Sequence, residues 1–125
     1  MLSAARLLLP ENNAYFGPDR LRDTEFITFA WAAVPGANVY TLALYREDGG
    51  RRQLIQRWES SAITSKAIEV SLLRNGTFVW QVESLKRAAN GAIERRGTLS
   101  ENRFTLSLPV IPQKTANDPG KVYGQ

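Results

Sequence analysis

The chain has 125 residues, 43% hydrophobic and 22% charged, which fits one ordinary globular domain large enough to bury a core without covalent staples. It contains no cysteine and no histidine, so disulfide frameworks, thiolate nucleophiles, and the commonest general base and metal ligand are all excluded. The net charge of +4 comes from scattered basic residues, with Arg51-Arg52, Lys86-Arg87 and Arg95-Arg96 only pairs near predicted turns, so it reads as solvated loops rather than a nucleic-acid stripe.

In chain order, MLSAARLLLP has one basic residue and an apolar run too short for a signal peptide. No stretch approaches the roughly 20 apolar residues of a membrane span, and none is expected. RLLLP reads as a short edge strand ended by Pro10, and residues 11–24 as an irregular, turn-rich insertion. In EFITFAW, Ile27, Phe29 and Trp31 share one face by period-two alternation, with Phe26, Thr28 and Ala30 on the other. Pro35-Gly36 then marks a turn. In NVYTLALY, Tyr40, Leu42 and Leu44 face one way, and Val39, Thr41, Ala43 and Tyr45 the other.

Asp48-Gly49-Gly50 reads as a hairpin tip, followed by a more polar strand, QLIQRWES. KAIEVSLL is predicted to place Ile68, Val70 and Leu72 on one face. After a turn at Asn75-Gly76, Phe78, Trp80 and Val82 share a face, and after a second at Asn90-Gly91 so do Phe104, Leu106 and Leu108. The tail, 109–125, has three prolines and no periodicity and reads as an extended linker. About seven short strands with turns between them predict an all-β, immunoglobulin-like antiparallel sandwich over residues 1–108. Trp31, Tyr40, Phe78, Trp80 and Phe104 are its expected large core residues.

ITFAWAAVPGANVYTLALY, GTFVWQV and LSENRFTLSL together resemble fibronectin type III domains of the kind found in bacterial envelope proteins, over roughly residues 5 to 108. The resemblance implies that Trp31 lies on strand B and packs against Tyr40 of strand C, and that Trp80 lies on strand F. Many members of the family carry a tyrosine near the start of strand F, whose hydroxyl ties back to the preceding turn. Phe78 stands there in this chain, so the turn at 73–76 must be held in another way.

No residue set predicts catalysis, a metal site or a cofactor site. Glu47-Asp48 lies in a hairpin tip, Glu69 and Glu83 alternate against inward residues, and EDGGRR is not followed by a helix that would cradle phosphate. Asn75-Gly76-Thr77 matches a glycosylation acceptor but reads as a turn. Trp58 is open to two readings: exposed, it would stack on a sugar or anchor a protein, and buried, it would close the edge of the sandwich.

The resemblance implies a non-catalytic interaction or spacer module of a larger envelope-associated or secreted protein. Its partner would be a protein or a neighbouring domain of the same chain, with carbohydrate binding as the alternative and no nucleic acid expected. Strand parity places Val39, Tyr45, Val79 and Arg103 on the outer face of the sheet formed by strands C, C′, F and G. With Trp58 they form the expected interaction surface, unless residues 11–24 cover it.

Overall fold

The computed structural model describes residues 1–21 and 24–107. The expected inward placement of Leu108 and the linker at 109–125 fall outside the described residues. Among the described residues nine strands follow one another: β1 Leu7–Leu9, β2 Ala14–Phe16, β3 Phe26–Trp31, β4 Val39–Asp48, β5 Arg51–Ser61, β6 Ser65–Glu69, β7 Gly76–Arg87, β8 Ile93–Arg96 and β9 Ser100–Leu106. A single helical turn, α1, spans Pro18–Leu21, and a 3-10 turn spans Val70–Leu72. Among the described residues no helix is long and apolar enough to cross a membrane.

One sheet has three strands in the order β1-β3-β6. The other has the order β2-β9-β7-β4-β5, with β8 also paired to β7. Among the described residues the strands pair antiparallel except β2 with β9, which is parallel, as is the isolated bridge of Leu2 to Gly97. The chain is therefore an all-β, immunoglobulin-like sandwich, its core filled by alternate residues of the two inner faces. Ile27, Phe29 and Trp31 of β3 meet Tyr40, Leu42 and Leu44 of β4, Phe78, Trp80 and Val82 of β7, and Phe104 and Leu106 of β9.

The aromatic rings meet edge to face, Phe29 with Trp80 at 5.1 Å and Trp31 with Tyr40 at 5.8 Å, while Phe78 and Phe104 stack at 5.3 Å. The buried Tyr40 hydroxyl accepts the Val34 N–H at 2.9 Å, which fastens the turn between β3 and β4 to the core. In that turn the Ala37 N–H reaches the Val34 carbonyl, and Gly36 adopts φ 87°, a conformation only glycine takes freely after proline.

Three expectations are corrected. Residues 11–24 are not irregular throughout: Ala14–Phe16 pairs with β9 as an added edge strand, and Phe16 and Leu21 join the core. Leu72 does not share a face with Ile68 and Val70. The 3-10 turn breaks the period of two, leaving Leu72 62% exposed and Leu73 2% exposed in its place. The stretch after Asn90-Gly91 forms a further strand, β8, before β9 begins.

The hydroxyl that Phe78 lacks is replaced by an arginine. The Arg46 guanidinium lies over the Phe78 ring, 4.9 Å from its centre, and its Nη1 donates to the Asn75 carbonyl at 2.8 Å. Gly76 makes room for it, since a Cβ there would collide with Arg46 Nη1. The turn before β7 is thus held from β4.

Candidate interaction surface

On the outer face of the six-stranded sheet, side chains from four strands interlock. Arg103 of β9 forms a two-pronged pair with Glu47 of β4, Nε to Oε1 at 2.8 Å and Nη2 to Oε2 at 3.0 Å. Arg52 of β5 pairs in the same way with Glu101 of β9, both bonds at 2.9 Å, and its Nε reaches Glu47 at 3.5 Å. The Gln81 amide of β7 donates to Glu101 at 2.9 Å.

The register explains why these side chains reach one another. Val79 lies opposite Tyr45 on one side and Arg103 on the other, Glu47 lies one level beyond, opposite Arg52, and Glu101 one level before, opposite Gln81. Arg52 must therefore cross the level of Val79 to reach Glu101, while Arg103 starts from that level and reaches across β7 to Glu47. The Arg103 hydrogen bonds hold the Glu47 carboxyl below its ordinary value. Those of Arg52, then of Gln81, do the same for Glu101. Glu101 and Glu47 in turn raise Arg52 and Arg103, respectively.

The outer face of the three-stranded sheet is built differently. Leu9, Phe26, Thr28, Ala30, Ser65, Ala67 and Glu69 point outward, and Glu69 is the charged residue among them. Phe26 is 50% exposed and Leu9 47%. Beside them, a groove of about 200 Å³ lined by Leu9, Pro10, Phe16, Phe26 and Ile27 opens between β1 and α1. Arg20 lies at its rim, over the Phe16 ring and 3.9 Å from Glu11.

Along the β6 edge of this sheet, near the β5 edge of the other, Phe26, Trp58, Ile68 and Leu72 line a cleft of about 220 Å³. Gln56, Lys66 and Glu69 complete its wall, and Lys66 Nζ lies 5.3 Å from the centre of the Trp58 ring.

The residues expected to form the interaction surface thus have different fates. Val39 and Val79 lie on the outer side of their strands, but both are buried, at 7% and 0% exposure, so neither offers surface to a partner. Val79 is covered by the long paired side chains on β5 and β9. Of the expected covering segment, Ala14–Phe16 does not lie over it, because β2 extends the sheet beyond β9 instead of crossing its face. Tyr45 is half-buried, its hydroxyl accepting from Arg57 at 3.4 Å, and Arg103 is committed to Glu47.

Trp58 is half-buried and packs against the core at the open side, away from the other four. Sequence reasoning did not single out Phe26, Lys66 or Leu72, although parity already set Phe26 apart from the inward residues of its strand. Compared with known proteins, the chain matches no protein-family model and no curated protein.

Proposed function

We propose that the chain is a non-catalytic spacer and interaction module of a larger protein, of the bacterial cell envelope or secreted, as its resemblance to fibronectin type III domains implies. One observation carries the reading: between Leu2 and Ser107 the described residues run from one pole of the sandwich to the other. Leu2 bridges to Gly97 and lies under the Gly36 turn, at the Ser84 level of β7. Ser107 donates to the Phe16 carbonyl just past Leu106, which lies opposite Gly76. At ~3.3 Å per strand residue, the two points are about 25 Å apart along β7. A module threaded in this way would hold a segment joined at Leu2 and one joined at Ser107 at opposite poles.

The test places the full chain between two folded reporter proteins and measures their separation by small-angle X-ray scattering. The expected result is a separation at least about 25 Å greater than in a direct fusion of the reporters. Reporters lying side by side would overturn the reading. The alternative, carbohydrate binding, is favoured by the aromatic and polar lining of the Trp58 cleft, but Lys66 already lies over that ring.

A further inference from the structure

We propose that the free edge of β6 takes an extended peptide strand, which adds a fourth strand to the three-stranded sheet. This deepens the interaction half of the reading above by naming the kind of partner.

The hydrogen-bond alternation of the sheet locates the site. The Trp31 N–H donates to the Thr64 carbonyl and the Val70 N–H to the Glu25 carbonyl. Both pairs lie on the β3–β6 register, in which Phe29 faces Lys66 and Ile27 faces Ile68. In an antiparallel ladder bonded pairs alternate with unbonded ones, so residues 64, 66, 68 and 70 point their amides toward β3. The N–H and C=O of Ser65 and Ala67, and the N–H of Glu69, therefore point away from the sheet. All three residues are exposed, and no strand pairs with β6 on that side among the described residues.

A comparison of the edges favours this one. β1 and β2 are three residues each, and β1 runs into Pro10. β5 is long, but a bulge interrupts its pairing with β4 and Arg51, Arg52 and Arg57 line it, devices that blunt an edge against added strands. β6 pairs with β3 through five residues without a register shift.

The side chains define what would fit. Lys66 and Ile68 alternate with the outward residues Ser65, Ala67 and Glu69, and beside them lies the cleft floored by Trp58 and Leu72. A strand running antiparallel to β6 would set an apolar residue beside Ile68, over the cleft. Two residues on, an acidic side chain would meet the Lys66 ammonium and draw it off the Trp58 ring. Backbone bonds would provide the attachment and these alternate side chains the selection.

The test is an NMR titration of the ¹⁵N-labelled full chain with the synthetic peptide Thr-Val-Thr-Glu-Thr. The expected result is amide shifts confined to residues 65–69 and the Trp58 indole, with a dissociation constant at or below about 1 mM. Ala67→Pro removes an N–H that points to solvent, which an edge strand tolerates, and should weaken binding about tenfold or more. Lys66→Glu should weaken binding of this peptide, and a peptide with lysine in place of its glutamate should restore it.

If Ala67→Pro fails to fold, the Lys66 charge exchange decides. Absence of shifts at about 1 mM peptide, shifts along β5 instead, or equal binding by folded Ala67→Pro would overturn the proposal. So would a soluble cello-oligosaccharide moving the Trp58 indole while the peptide does not, a result that would point to sugar. Reporter separation is measured independently, so failure here leaves the spacer reading to its own test.

Discussion

On the outer face of the six-stranded sheet a valine, Val79, is wholly buried, whereas on the outer face of the three-stranded sheet a phenylalanine, Phe26, is half exposed. Both leave the core by the same alternation, so the direction of the side chain does not explain the difference. The neighbours do. Val79 lies on a central strand, Arg52 of β5 reaches across its level to Glu101 of β9, and Arg103, beside it on β9, reaches across β7 to Glu47 of β4. Phe26 begins its strand and has Glu69 on one side, while β1 ends its pairing at Ala30 and offers nothing at its level. An apolar residue on an outer face is covered when long side chains are tied across it, and left open when its neighbours are short or absent. Val79 is thereby closed off on the six-stranded face, whereas Phe26 stays open on the three-stranded one.

The largest expected effect calibrates the comparison. Trp31→Ala or Trp80→Ala should lose roughly 3–5 kcal/mol in chemical denaturation, because each empties a site in the shared core. That is a large part of the roughly 5–15 kcal/mol that typically holds a domain together. An unchanged midpoint in either variant would mean the core is not as described.

Val79→Ala should cost about 2 kcal/mol, as a core valine does, although it lies on an outer face. Phe26→Ala should stay within about 0.5 kcal/mol despite removing a whole ring. The reverse order would break the account of the two faces.

Arg46→Ala should cost about 1 kcal/mol by removing the cation over Phe78 and the bond to Asn75, and hydrogen exchange should quicken at the turn before β7. Unchanged exchange there would mean that the turn is held without Arg46.

The smallest effect is acid sensitivity. Glu47 and Glu101 are held below the ordinary carboxyl value of 4.5 in the folded chain. Their contribution is therefore complete above about pH 4.5 and lost as the pH falls through their lowered folded values. The double variant Glu47→Gln, Glu101→Gln should show a shallower loss of stability between neutral and acid pH than the natural chain. Equal slopes would mean that the ion pairs cover Val79 without adding to stability.

Much of this fold is legible in the residues themselves, because a strand turns successive side chains to opposite faces whatever its surroundings. Ile27, Phe29 and Trp31, like Tyr40, Leu42 and Leu44, announce an inward face from their spacing alone. Pro35-Gly36 and Gly49-Gly50 mark their turns from backbone preference. The same local rule sets Val39 and Val79 on the outer side, and there its reach ends, since burial depends on residues distant in the chain.

Glu47 meets Arg103 only because β7 brings β4 and β9 within reach of each other, a meeting no spacing reveals. The slip from Leu72 to Leu73 follows a 3-10 turn that apolar alternation conceals, and the parallel pairing of Ala14–Phe16 with β9 joins segments some ninety residues apart. In β3, β4, β7 and β9 the sequence by itself determined which way the side chains leave the strand, because pleating is local. Which outward residues are covered, and which strand keeps an unpaired edge, only the tertiary structure decided, because both depend on how the strands are ordered in the sheets.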